Sequence, residues 1–481
     1  MRPLDLAVLA GYLLAVTVWG AWLGRGQKGA RDYFLGSRNL PWWAVMLSVV
    51  ATETSTLTFL SIPGVAYLGS LTFLQITLGY LVGRVVVAAF LLPAYRQGEL
   101  STAYELLEAR FGTGIRRLTS VVFMVTRLLA DSVRLFATAI PLALLTGWSF
   151  PVSVGVIGLL TVIYTYFGGI KAVVWIDAVQ MGLYLIGALV AAVALQGLVP
   201  NGWSGILEQA SAAGKLQLFD LSAAPGTAYT LWAGLLGGAF LSMASHGADQ
   251  LIVQRLLTCR DLKDSQRALI GSGVLVIAQF AIFLFVGLGL WVFYQGRAFE
   301  ASDEIFARFI VEELPVGITG LLIAGVLAAA MSSLSSSINA LASATAYDLW
   351  APLAGARDDD RRILRAGRIF TLMWAALLVG GALVFLEVGE GAAAVEVALG
   401  IASLVYGGLL GAFALGIFSS RADARSVAVG MAMGIGFITW LWIFHRSALA
   451  WPWYVLVGTA ITIVVGQAFG RGRTARSATA R

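Results

Sequence analysis

A single cysteine, Cys259, and two histidines, His246 and His445, are all that 481 residues offer of thiolate and imidazole ligands. A disulfide scaffold is excluded, and a His/Cys metal centre has too few ligands to be built. Charge is scarce as well. Asp, Glu, Lys and Arg together make up 12% of the chain, against roughly 25% in soluble domains. No hydrophilic stretch exceeds about 30 residues, too few for a separate catalytic or sensor domain. What is abundant is apolar: 59% of residues are hydrophobic, and the mean hydropathy is +0.85. This composition belongs to an integral membrane protein.

Stretches of about 20 apolar residues count as crossings. Thirteen are expected, at roughly 4–24, 41–68, 71–95, 117–147, 151–169, 172–198, 228–254, 268–295, 316–347, 367–387, 393–418, 425–445 and 451–470. The first is too long for the core of a signal peptide and reads as a retained helix. An odd number puts the termini on opposite sides, and the distribution of Lys and Arg gives the orientation. The loops beginning at Arg25, Arg96, Lys171, Arg255, Arg357 and Arg421, with the tail from Arg471, hold 24 of the 32 basic residues. The opposite loops hold 5, and Arg84, Arg127 and Arg134 lie within spans. The N-terminus is therefore expected outside a cell membrane and the C-terminus in the cytoplasm. The net charge of +6 then concerns topology and lipid headgroups, and no nucleic-acid partner is implied.

The densest polar feature lies inside the ninth stretch, LAAAMSSLSSSINALASAT, from Leu327 to Thr345. Hydroxyls facing lipid would be wasted, whereas hydroxyls facing another helix or a cavity are useful. On a helix Ala329, Ser332, Ser333 and Ser336 share one face, with Ser335 at its edge. Close helix packing through small residues and a site for a small hard cation both fit.

Other spans carry charge at membrane depth. The second contains SVVATETSTLTFLSIPG, with Glu53, a Thr/Ser run and Pro63-Gly64. The seventh contains Gly237-Gly238 and then SMASHGADQ, with His246 and Asp249. Two interrupted helices in corresponding positions of two halves point to a transporter site. Glu53 reads either as a functional acid or as a paired structural one. The fourth span sets Asp131 between Arg127 and Arg134 on one face, as an ion-pair triad or with one arginine free to grip a carboxylate. The sixth opens with Asp177 and Gln180, and Asp177 suits either an interfacial acid or a charged cation ligand.

The segments ARDYFLGSRNLPWWAVMLSVVATETSTLTFLSIPG, STAYELLEARFG, YTYFGGIKAVVWIDAVQ, DQLIVQRLLTCRDLKDSQRA and IAGVLAAAMSSLSSSINALASATAYDL resemble the sodium:solute symporters, which include sodium/proline, sodium/sugar and sodium/sialic-acid transporters. The resemblance implies an all-α membrane fold of the leucine-transporter type. Its five-plus-five inverted repeat would have one helix before the core and two after it. In this chain the parts would be a first helix and loop over 1–40, repeats at 41–198 and 228–418 around an extracellular loop at 199–227, and two C-terminal helices with a basic tail at 419–481.

The same resemblance implies a sodium site from the backbone oxygens of Ala51, Thr54 and Ala329 with the hydroxyls of Ser332 and Ser333. A second sodium site would comprise Asp177, Ser332, Ser335 and Ser336. The positions implied for solute contact are Glu53, Ser55, Thr58, Phe73 and Thr77, with Arg127 or Arg134 holding a carboxylate. The expected function is sodium-coupled uptake of a small organic solute (a carboxylate, sugar or amino acid) by alternating access. The bilayer, sodium and solute are the partners, two sodium ions move per cycle, and a monomer suffices. The rivals are a proton-coupled carrier and a membrane enzyme. A membrane enzyme would need a catalytic cluster that the sequence does not display.

Overall fold

The computed structural model describes residues 3–25, 27, 29–97, 100–300, 302–388 and 394–470. Among these the chain is all helical, and its one β feature is an isolated bridge between Leu40 and Cys259. Eight helices are long and apolar enough to cross a membrane, and a bent pair near the start makes a ninth if taken as one span. The expected stretches do not map one to one onto helices: 41–68 and 228–254 are each broken, and two others share one helix. The stretches 151–169 and 172–198 run together as Phe150–Leu198, 49 residues. A straight helix of that length would be about 74 Å, more than twice the hydrocarbon core. It turns at Gly169, whose φ of 54° and ψ of −157° suit a residue without Cβ.

The helix Ile318–Ala344 is the hub. Every residue from Leu322 to Ala344 is buried, so its serines meet protein on all sides and no lipid. It packs against Pro3–Leu23, Trp42–Glu53, Thr113–Thr146, Phe150–Leu198 and Asp360–Val388, then widens into a π-helical segment, Thr345–Trp350. Several hydroxyls fold back on its own backbone: Ser336 donates to the Ser332 carbonyl at 2.6 Å and Ser337 to that of Ser333 at 3.1 Å.

The first broken helix consists of Trp42–Glu53 and Thr56–Leu68, with a bend of 63° between Trp42–Glu53 and Thr58–Leu68. Its break falls at Thr54 and Ser55, both extended, within the Thr/Ser run and not at Pro63-Gly64. Thr52 and Thr54 turn their hydroxyls onto the Ser48 and Val50 carbonyls, at 2.7 and 2.6 Å, a competition that weakens a helix end. Pro63 lies inside the second half, where its backbone sits against Gly287; a Cβ there would collide with the Pro63 carbonyl.

The second break also differs from expectation. Gly237-Gly238 stays helical, as Ala233–Gly237 runs into Gly238–Gly247, and these glycines allow close backbone contact with neighbouring helices. The interruption comes at Ala248 and Asp249, before Gln250–Leu257. Asp249 begins the new helix by accepting a hydrogen bond from the Leu251 amide at 2.8 Å.

Candidate functional site

A helix that stops at Glu53 leaves its last carbonyls without intrahelical donors. Val50 recovers a donor from the Thr54 amide at 2.9 Å, and the carbonyls beyond it are left facing the break. The serine helix and the second half of Phe150–Leu198 close around this point. Together they enclose a cavity of about 10 Å³, lined by Ala51, Thr54, Gln180, Met181, Tyr184, Ala329 and Ser332. That is near the smallest volume able to take one water, roughly 10–15 Å³. Four of the five residues expected around one cation therefore line a single cavity. The fifth, Ser333, follows Ser332 in the chain, and its buried Oγ has no hydrogen-bond partner.

Gln180 adds a further oxygen. Its Nε2 donates to the Tyr12 hydroxyl at 3.1 Å, while its buried Oε1 receives no hydrogen bond. Buried polar atoms are nearly always partnered, so the unpartnered Gln180 oxygen on the wall of this cavity is unusual. The backbone, hydroxyl and amide oxygens among these residues are of the kind a small hard cation takes, with Met181 as an apolar part of the wall.

Of Asp177, Ser332, Ser335 and Ser336, Asp177 and Ser336 meet a protein cation and Ser332 joins them through Asp177. Asp177 accepts from Ser332 at 2.7 Å and from Ser48 at 2.6 Å, and Arg255 Nη2 lies 3.3 Å from its second oxygen. Arg255 also donates to Ser336, to Ser48 at 3.0 Å and to the Leu251 carbonyl at 2.6 Å. Both ionic side chains are fully buried. The sequence assigned Arg255 to a cytoplasmic loop; instead it lies on Gln250–Leu257, inside the protein, because the second broken helix resumes there. Ser335 Oγ is spent on the Ser332 carbonyl at 3.0 Å.

The residues expected to meet the solute are more dispersed. Glu53 is clamped by Arg84 and lies 3.7 Å from His246 Nε2. Ser55 is buried in the break, and Thr58 is half-buried on the following helix. Phe73 stacks on Phe280 with centroids 5.2 Å apart, and Thr77 donates to the Leu74 carbonyl at 2.8 Å.

Arg127 and Arg134 both face Asp131, at 3.5 and 3.6 Å, and Ser337 donates to the same carboxylate at 2.6 Å. Arg127 is further engaged by Asp249 and Tyr406. Among the described residues Arg134 has only the long contact to Asp131, and its side chain is 18% exposed. Of the two arginines it is the one with donors to offer.

Sequence reasoning missed Arg84, Arg255 and Gln279, whose Nε2 donates to Thr54 Oγ1 at 3.1 Å. Arg84 had a visible signal, a lone cation within a span that needs an acid nearby. Arg255 and Gln279 had none.

The model of the sodium:solute symporter family matches residues 33–434. A sodium/sialic acid symporter of Proteus mirabilis is 31% identical over 468 residues, covering 96% of this chain and 94% of the relative. The human sodium/iodide cotransporter is 30% identical over 456 residues, 91% of this chain and 69% of that protein. Among solved structures, the substrate-bound outward-open state of a Na+-coupled sialic acid symporter matches with a TM-score of 0.88 and 31% identity over 97% of each chain.

Proposed function

This chain belongs to the sodium:solute symporter family, and from that premise we propose how it couples sodium to its solute. It is a multi-pass membrane transporter and not an enzyme, and sodium is its coupling ion. Our reading is that one sodium binds at the break of the first broken helix, held by the backbone oxygens of Ala51, Thr54 and Ala329 and the hydroxyls of Ser332 and Ser333. The observation that carries it is the small cavity bounded by the break and the serine helix, with the orphaned oxygen of Gln180 on its wall and the unpartnered hydroxyl of Ser333 next in the chain to Ser332. An ion bridging those two elements favours the state in which both sit correctly, and solute affinity rises with it because the coupling is reciprocal. The inward gradient then drives uptake by alternating access, each charge gaining about 2.3 kcal/mol per 100 mV.

A second sodium is proposed at Asp177, Ser332, Ser335 and Ser336, giving two ions per cycle. Here sodium and Arg255 would alternate: when the second broken helix withdraws the guanidinium, the carboxylate and hydroxyls are left for the ion. This exchange avoids exposing a bare buried acid at any stage.

For the solute we propose a small carboxylate held by Arg134, with Glu53, Ser55, Thr58, Phe73, Thr77 and Arg127 shaping the site around it. The partly exposed guanidinium of Arg134 supports this, as do relatives named for sialic acid, a carboxylic acid, and for iodide, another anion. We also propose thirteen crossings, the inverted repeats at 41–198 and 228–418, an external N-terminus and a monomeric working unit.

The test is thermal stability of the purified protein in sodium against potassium. A sodium-specific rise, reduced in Ser332→Ala and Ser333→Ala, is expected. Identical curves in the two salts would remove the proposed site.

A further inference from the structure

The helix Asp360–Val388 begins in a run of charge, with Arg361, Arg362, Arg365 and Arg368 following Asp358, Asp359 and Asp360. Between it and Trp350, at the end of the π-helical segment below the serine helix, lies an open groove of about 390 Å³. Its walls are Trp350, Arg362, Arg365, Ala366, Ile369 and Phe370. Arg362, Arg365 and Ile369 follow one another at spacings of three and four, which puts them on one helical face. That face continues through Leu372 and Met373, both exposed on a span apolar enough to cross the membrane. The groove thus lies where charge gives way to lipid-facing surface, the depth of headgroups and of interfacial tryptophan.

Both arginines are exposed, and no ion pair joins either to an acid among the described residues. Arg362 has its Cζ 6.0 Å from the Trp350 ring centroid, a cation–π contact that leaves its N–H groups available. Two of the neighbouring acids are engaged by backbone: Asp359 accepts from the Arg362 amide at 3.0 Å and Asp360 from the Arg31 amide at 3.2 Å. Asp358 is exposed and not part of the groove wall.

We propose that this groove binds the headgroup of an anionic phospholipid. The forks of Arg362 and Arg365 take the phosphodiester oxygens, a match that guanidinium makes bidentately. Ala366, Ile369 and Phe370 receive the glycerol and the first methylenes, and the acyl chain continues past Leu372 and Met373. Basic pockets between membrane helices hold anionic headgroups in this way. A free phosphate would use the arginines and leave the apolar wall idle, so the lipid is the better occupant. The site depends on the chain lying in a bilayer and is independent of the sodium sites, so either can fail alone.

The test uses the full chain in detergent, with lipid binding followed by native mass spectrometry. Phosphatidylglycerol, phosphatidylcholine and inorganic phosphate are added separately. Retention of phosphatidylglycerol over phosphatidylcholine is expected, falling at least tenfold in R362Q/R365Q and severalfold in each single variant. R361Q, which removes the same charge from outside the groove, is the control and should retain lipid as the wild type does. Equal retention of the two lipids would overturn the proposal. So would an equal loss in R361Q, which indicates diffuse charge, or binding of phosphate as tight as that of phosphatidylglycerol, which indicates a free-anion site. Melting curves of the variants without lipid separate lost binding from lost folding.

Discussion

Ser332 donates a 2.7 Å hydrogen bond to Asp177 and at the same time lines the cavity at the break of the first broken helix. One hydroxyl is therefore shared by the two places where sodium is proposed to bind, and the next residue, Ser333, makes no hydrogen bond to Asp177.

This sharing separates two substitutions. A ligand that binds only the native state at 100 times its Kd stabilises by about 2.7 kcal/mol. Ser333→Ala should lose part of the sodium-induced shift in melting temperature and keep the steepness of its dependence on sodium. Ser332→Ala should reduce both, as two ions are affected. If both variants respond to sodium as the wild type does, neither hydroxyl is a ligand.

Arg255 and Asp177 form a fully buried pair. Removing one member of such a pair typically costs about 3–5 kcal/mol, because the other charge is stranded. Arg255→Gln should therefore melt well below the wild type in potassium and recover much of the loss in sodium, which can replace the missing cation. Asp177→Asn strands the arginine, and sodium should not rescue it. Equal rescue of both variants, read in the same melting experiment, would count against an exchange of Arg255 for sodium.

The Glu53–Arg84 pair tests the rival of proton coupling. Both Glu53→Gln and Arg84→Gln should be destabilised by roughly 3 kcal/mol, with the double variant losing less than the sum. A double-mutant cycle in urea gives the coupling directly. If Glu53 is held as an ion pair throughout, uptake should depend on sodium and change little between pH 6 and 8. Uptake that persists without sodium and follows a pH gradient would instead make Glu53 the coupling group.

Arg134 and Arg127 should differ in kind. Arg134→Gln removes a fork with one long contact, at 3.6 Å, and is expected to raise KM for an anionic solute tenfold or more with little change in melting temperature. Arg127→Gln strands Asp249 and should act mainly on stability, by about 3 kcal/mol. Matched uptake and melting measurements separate the two. If Arg134→Gln transports every anion tested with unchanged KM, the carboxylate-binding role is lost.

Cys259 offers a chemical check on the packing of the two broken helices. Burial pushes its thiol up to about 12, against the opposing effect of the Arg96 charge, so thiolate is negligible at neutral pH. The folded protein should resist a maleimide at pH 7 and label only on unfolding, as followed by mass. Rapid stoichiometric labelling of the native protein would show that this region opens.

What the sequence determined by itself was local. Runs of apolar residues about 20 long can only be satisfied as helices in a bilayer, because each backbone polar group must find its partner within the segment. Five serines in the six residues from Ser332 to Ser337 marked a polar face, and the Thr/Ser run after Glu53 marked a weak point in a helix. The motifs quoted from the first loop to the ninth stretch carried the family. Tertiary structure decided the partners of the charges. Arg255 is 78 residues from Asp177, and Glu53 is 31 from Arg84, so no periodicity within one helix relates them. Each buried charge had to be balanced by some opposite one, but which one depended on where the helices broke and how they packed. The breaks fell at Thr54–Ser55 and Ala248–Asp249 and not at the nearby Pro and Gly pairs. At those points hydroxyl and carboxylate groups could take over backbone hydrogen bonds, whereas Pro63, Gly237 and Gly238 were placed where one helix backbone approaches another.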